Sequence, residues 1–339
     1  MTNTKRTIFL FFTSIVLPCT IFAQQKSVEL GRAFEESPNF FLSKWDPLQD
    51  RLILYRSRWS EISPAIHVFS PDGRTRLLLS PLAGLPDYQY ISTMDVAAAP
   101  EGGIAIAATL KDAAKHLTDT VLLYDSDGKL SQMWQIAPYH HHAIAVGPDG
   151  SVYGFGDRSD LDSTGGVEKH SPLLVHYSKQ GKVLQSGLTL DLFPKGLEIV
   201  DSGPLSGEHH MFFSSGKLVL YVATTTEVFL FDPELRLIQR IPLSQKIADA
   251  VKSAGLSDGQ IRRVTFEGNT LILQVMMWSE KRPPITKLLT LDPRTSSCHV
   301  VDGNFGDAGR LMQATVQDAL FLHVKNDESL ALQSYSLPR

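Results

Sequence analysis

Two clusters of chemistry-bearing side chains stand out along the chain: His140-His141-His142 and Glu208-His209-His210. Three imidazoles, or two imidazoles and a carboxylate, form a donor set that can hold zinc or another divalent ion such as calcium. His142 and His210 are the metal-ligand candidates. The same groups also suit the wet mouth of a polar channel, because no fixed-spacing metal motif surrounds them. Asp157-Arg-Ser-Asp-Leu-Asp-Ser163 carries calcium-like acidic spacing, but it lacks the glycine and the terminal glutamate of a calcium loop and reads as a solvated turn. Several familiar catalytic signatures are absent from the sequence: no histidine pair flanking a glutamate, no phosphate-binding loop and no dinucleotide fingerprint. No cofactor is therefore required, and the reading leans away from an enzyme.

Whatever these groups do, a repeated scaffold must position them. Tight turns recur at Ser70-Pro-Asp-Gly73, Tyr124-Asp-Ser-Asp-Gly128, Tyr177-Ser-Lys-Gln-Gly181, Phe231-Asp-Pro-Glu-Leu235 and Leu291-Asp-Pro-Arg-Thr295, with a weaker copy at Tyr335-Ser-Leu-Pro338. Measured from Phe69 through Tyr124, Tyr177, Phe231 and Leu291 to Tyr335, the intervals are 55, 53, 54, 60 and 44 residues. Each unit also holds an upstream pair of apolar runs broken by a turn, as in Ile144–Phe155 and Met211–Val222. Strand, turn, strand, loop, strand, turn, strand at such a period predicts an all-β, six-bladed β-propeller with four-stranded antiparallel blades. Five blades with an irregular cap is the alternative count, and a β-sandwich would need fewer strands and no period.

The expected blades run Phe40–Leu79, Ile91–Ile136, His142–Leu190, Met211–Leu243 and Val264–Val301, with a sixth starting near Leu311. That sixth blade holds three strands before the sequence given ends. Ser27-Val-Glu-Leu-Gly31 alternates like a strand and is the spare segment that would cover the open edge. The N-terminal strand is thus expected to complete the last blade.

The turns within hairpins are short, whereas Ser57–Pro64, Leu110–Thr120, Gly156–Pro172, Phe193–His209, Ser244–Gln260 and Trp278–Pro284 read as long connections on the opposite face. Long loops on a rigid scaffold are where binding groups concentrate. Ser244–Gly255 reads as a short helix with Ser244 as N-cap and Gly255 as its stop. Both histidine clusters enter innermost strands from the long-loop face, at one channel mouth. Asn39, Tyr90, Arg262 or Arg263, and Arg310 hold equivalent positions on the other blades. The candidate ligand-binding ring is therefore Tyr90, His140, His142, Glu208, His210, Arg263 and Arg310, which would suit an anionic or sugar-like ligand. Trp59 and Trp278 could serve as platforms or as plugs between blades.

The unit Ile144–Tyr153 followed by Leu174–Val183 resembles an NHL repeat, and the whole pattern resembles six-bladed propellers of the NHL and TolB-like kind. The asparagine–arginine signature typical of NHL blades is missing, so no family active site carries over. The resemblance to TolB-like propellers implies a further reading, an accessory subunit of an envelope complex.

Compartment is read from the first 23 residues. Lys5 and Arg6, an apolar run from Ile8 to Val16, and Ala23 before Gln24 form a secretion signal, leaving residues 24–339 as a single propeller domain. The apolar run is too short for a membrane span and is interrupted by Pro18. Cys19 raises a lipoprotein alternative, against which Pro18 argues. The expected location is periplasmic or extracellular, with Cys298 as the only remaining cysteine and hence no internal disulfide. With 339 residues, 43% hydrophobic and 20% charged, the chain can build a large core. Its 32 basic and 36 acidic residues give a formal charge of −4 without a basic run, which excludes a nucleic-acid partner. The expected function is ligand or protein binding through the long-loop face, with a metal-assisted lyase or hydrolase at the histidine-lined channel mouth as the alternative.

Overall fold

A computed structural model describes residues 24–31, 41–56, 65–158, 172–189, 192, 209–280, 282–326 and 329–337. Six four-stranded antiparallel sheets follow one another around a ring, as the repeat predicts. Blade one holds β2 (Leu42–Asp46), β3 (Arg51–Tyr55), β4 (Ile66–Phe69) and β5 (Thr75–Leu79). Blade two holds β6 (Tyr88–Ala98), β7 (Ile104–Asp112), β8 (Leu117–Tyr124) and β9 (Leu130–Gln135). Blade three holds β10 (Tyr139–Val146), β11 (Val152–Arg158), β12 (Pro172–Tyr177) and β13 (Val183–Thr189). Blade four holds β14 (His210–Ser214), β15 (Lys217–Val222), β16 (Glu227–Phe231) and β17 (Leu237–Pro242). Helix α1 (Ser244–Ser253) leads into blade five, with β18 (Asp258–Glu267), β19 (Thr270–Ser279), β20 (Arg282–Leu291) and β21 (Cys298–Val301). Blade six holds β22 (Arg310–Ala314), β23 (Asp318–Val324) and β24 (Leu330–Ser336), and β1 (Gln24–Gly31) supplies its fourth strand.

Burial follows position in the blade. The second strands are almost continuously buried, as in Ile104–Leu110 and Leu218–Val222, because neighbouring blades cover both faces. Outer strands are largely exposed, as in β17. The buried apolar residues separate into six clusters, one between each pair of adjacent blades. Stability therefore comes from flat contacts repeated around the ring, and the layer between blades six and one closes it. That layer joins Phe41, Trp45 and Leu54 to Met312, Leu322 and Leu332, with Val28 and Leu30 of β1 packed against it.

The recurrent turns lock each blade to its predecessor. Gly73, Gly128 and Gly181 adopt φ of 80°, 77° and 78°, which a residue without Cβ adopts at little cost. A Cβ on Gly181 would lie 2.5 Å from the indole of Trp134 in the preceding blade, and one on Gly128 would lie 3.2 Å from Leu77. In blade one the preceding outer strand is β1, and a Cβ on Gly73 would lie 2.5 Å from Val28 Cγ1. In blades four and five the left-handed position falls on Leu235 (φ 56°) and Ser296 (φ 58°).

Several boundaries differ from the sequence reading. The connections expected to be long at Leu110–Thr120 and Trp278–Pro284 are short, because β7 and β8, and likewise β19 and β20, extend as paired strands well past the blade core. Strand β18 begins at Asp258, earlier than Val264, since the chain pairs with β19 directly after α1. Ser244 is the first helical residue rather than the N-cap, which is Leu243 and makes no side-chain cap bond, while Gly255 takes the left-handed conformation at the helix end. Residues 1–23, including the expected signal segment and Cys19, lie outside the described residues, as do Asn39, Trp59 and Glu208. No described helix is long and apolar enough to cross a membrane.

Candidate functional site

The innermost strands β2, β6, β10, β14, β18 and β22 surround a central channel holding a cavity of about 330 Å3. Every blade contributes a polar residue to its lining: Lys44, Asp95, His142, His210, Arg263 and Gln313 in ring order. Between them stand apolar side chains, among them Trp45, Met94, Met211 and Phe212.

Lys44 and Asp95 form a charged pair on the channel wall. Lys44 Nζ lies 2.6 Å from Asp95 Oδ2 and donates to the Ile144 carbonyl at 2.6 Å, so one ammonium joins three blades. The same carboxylate accepts from Tyr55 Oη (2.8 Å), Val96 N (2.8 Å) and Ile144 N (2.8 Å). A carboxylate buried to 5% exposure is costly to the fold unless its oxygens are paired in this way. Arg263 reaches from blade five to Ser43 of blade one, with NH2 to Oγ at 3.2 Å.

A compact imidazole group gathers around His142. His140 Nδ1 stands 2.9 Å from Asp119 Oδ1, which also accepts from Thr109 Oγ1 at 2.6 Å. His142 is the extra residue in a bulge of β10, which turns its ring toward the channel and brings Nε2 3.2 Å from Asp157 Oδ1. The rings of His140 and His142 meet edge-on, with centroids 5.0 Å apart, and His209 lies 6.5 Å from His142. His141 faces the other way, into the blade, with Nε2 2.8 Å from Tyr177 Oη, and its imidazole occupies the space a Cβ on Gly154 would need.

The hydrogen bond to Asp119 raises the pKa of His140 and outweighs burial. Burial, followed by the electrostatic effect of His142 and His140, pushes His141 down to about 3. Burial, followed by His142, pushes His209 down to about 4. An imidazole kept neutral in the fold but free to protonate near pH 6.5 when unfolded withdraws stability as pH falls from about 6.5 toward its folded value; a raised imidazole contributes stability that is full below about pH 6.5 and lost as pH rises through its folded value. Below about pH 6.5 only the two depressed rings change the balance, so the cluster should destabilise the fold as pH falls from about 6.5 toward about 4. Urea midpoints for wild type and His209→Phe are expected to diverge in that window, with the variant losing less stability on acidification. Parallel curves would show that His209 protonates equally in both states.

The expected ring is only partly assembled. His142, His210 and Arg263 border the cavity. His140 is one step removed, at the mouth, against Asp119. Arg263 sits in mid-strand because β18 starts early, whereas Arg262 beside it is exposed. Tyr90 stays outside the cavity lining, with Lys111 Nζ 5.0 Å from its ring centroid. Arg310 also lies outside it, donating to the Phe41 carbonyl at 2.9 Å and covering the Phe41 ring, where it ties blade six to blade one. His210 stacks on Tyr221, and it is His209 that approaches His142. Among the described residues no three His, Cys, Asp or Glu side chains converge as a metal-binding group. Asp157, read from sequence as part of a solvated turn, is a strand residue facing His142.

Lys44, Asp95 and Asp119 escaped the sequence reading. Asp95 carried a usable signal, a lone acid inside the apolar strand Ile91–Ala98, where only a compensated charge is tolerated.

No protein-family model matches the chain, and no curated protein matches it by sequence. Solved structures do. A Bacteroides fragilis protein inferred to be exported aligns over 96% of this chain and 98% of its own, with a TM-score of 0.54 and 11% identity. A member of the DUF4221 family from Bacteroides vulgatus aligns over 94% and 98%, with a TM-score of 0.55 and 7% identity. At such identities the likeness is one of fold, a six-bladed propeller spanning nearly the whole of each chain.

Proposed function

We propose that this chain is an exported, non-catalytic propeller of the general NHL and TolB-like kind that binds a small molecule in its central channel, entered from the histidine-lined face. The observation that carries the reading is the cavity of about 330 Å3, to which all six blades contribute a polar side chain beside apolar walls. Concave sites of this size with a few convergent polar groups are where proteins hold small ligands. The secretion signal in residues 1–23 supports export.

Filling the channel tests the binding. Gln313 borders the cavity and is half-buried, so Gln313→Trp should occupy the space without opening an inter-blade layer. A thermal-shift survey of small metabolites is expected to yield compounds that raise the Tm of wild type and leave Gln313→Trp unmoved. A survey in which every stabilising compound acts equally on both proteins overturns the channel as the site. Stoichiometric zinc or calcium in the purified protein, lost on His142→Ala and His210→Ala, would replace this reading with the metal-assisted one. Export is checked separately by N-terminal sequencing of secreted protein, which should begin at Gln24.

A further inference from the structure

The polar side chains of the cavity lining are largely engaged by the protein itself. Lys44 donates to Asp95 and to the Ile144 carbonyl, and Asp95 accepts from four donors. Arg263 donates to Ser43 Oγ and to the Arg262 carbonyl. Ser214 and Thr265 donate to the carbonyls of Phe266 and Ile272. His142 stands against Asp157, and His209 Nδ1 accepts from Ala223 N. A charged ligand would therefore have to draw Lys44, Asp95 or Arg263 away from its partners, at the cost of a group left unpaired in a largely buried setting. The other carboxylate on the lining, Glu267, is exposed at the end of β18.

Trp45 differs from these groups. It borders the cavity at 6% exposure, and its Nε1 is a buried donor for which no described group is an acceptor. The indole is held in the layer between blades one and six, with Phe41, Leu52 and Met312, so it is not free to swing out to water. A buried indole N–H ordinarily has an acceptor, and one without is costly. The walls around it are apolar and deformable, with the thioethers of Met94, Met211 and Met312 beside Phe212. At ~30 Å3 per water the cavity equals on the order of ten waters, room for a ligand of about that many non-hydrogen atoms.

Resting on the channel as the binding site, we infer that its ligand is a small neutral molecule with an apolar body and a carbonyl group, the carbonyl oxygen accepting from Trp45 Nε1 and the body lying against the methionine wall. Such a ligand satisfies the indole donor and gains by leaving water, and it breaks no pair inside the fold.

Calorimetric titration of the full-length mature protein with acetophenone, ethylbenzene, benzoate and glucose tests this. Acetophenone should bind at millimolar or lower concentration. Benzoate, the same ring with a charged group, should bind at least about tenfold more weakly, one decade in Kd. Trp45→Phe keeps a ring in the layer and removes the donor. It should weaken acetophenone about fivefold and leave ethylbenzene, which has no carbonyl, unchanged. In nitrogen-labelled wild type, one indole N–H resonance should move downfield with acetophenone and stay in place with ethylbenzene, which keeps the test decisive if the variant fails to fold. Benzoate or glucose binding as tightly as acetophenone, an equal loss of acetophenone and ethylbenzene in Trp45→Phe, or no loss of acetophenone there, overturns the neutral carbonyl ligand; the channel site stands if that binding is lost in Gln313→Trp. An indole resonance that ignores acetophenone does the same. Binding that persists in Gln313→Trp, or no binding by any probe, overturns both.

Discussion

Replacing Asp95 by alanine is expected to cost about 3–5 kcal/mol of unfolding free energy, the largest effect of any single side chain on the channel wall. The change leaves Lys44 with an uncompensated charge at 13% side-chain exposure and strips acceptors from Tyr55, Val96 N and Ile144 N. Asp95→Asn should be nearly as damaging. Each carboxylate oxygen faces two donors, so an amide NH2 must point at a pair of them whichever way it is turned. Lys44→Met should be milder, because Asp95 keeps three of its four donors. A double-mutant cycle in urea gives the coupling directly. If Asp95→Asn melted like wild type, the four-donor arrangement would not be the bolt that joins blades one, two and three.

Removal of residues 24–31 should lower the urea midpoint steeply and produce concentration-dependent aggregation. Without β1, the whole edge of β24 from Leu330 to Tyr335 loses its partner, and an unpaired flat edge recruits other chains. Val28 and Leu30 also leave the layer between blades six and one, at about 1–2 kcal/mol each for half-buried aliphatic groups. A synthetic peptide with the sequence Gln24–Gly31 should restore the midpoint by adding a strand to that edge. Gly73→Ala should reproduce part of the loss without truncation, since its Cβ would strike Val28 in a left-handed conformation. A truncated chain that unfolds with the wild-type midpoint would mean that blade six holds without its fourth strand.

How these two sites could be known differs. The ring itself was legible because hairpin turns recur at a nearly constant interval and strands alternate, both local properties of the chain. Closure was legible too: Leu311–Tyr335 makes three strands, and an open edge demands a partner, which Ser27–Gly31 offered. The site was legible only in part. The histidine clusters announced themselves by composition, and their placement on inner strands followed from the repeat.

Tertiary structure alone decided which neighbour of each cluster faces the channel. A one-residue bulge turns His142 inward, and His209 rather than His210 approaches it, because side-chain direction along a strand reverses with a single slip of register. It decided that Arg310 ties blades together rather than lining the cavity, because the Phe41 carbonyl lies within its reach. It also paired Lys44 with Asp95, two residues 51 apart in sequence whose partnership exists only once three blades stand side by side. Periodicity and composition are written residue by residue along the chain, and they determined the fold. Charge compensation in the channel is a contact across blades, and only the closed ring creates it.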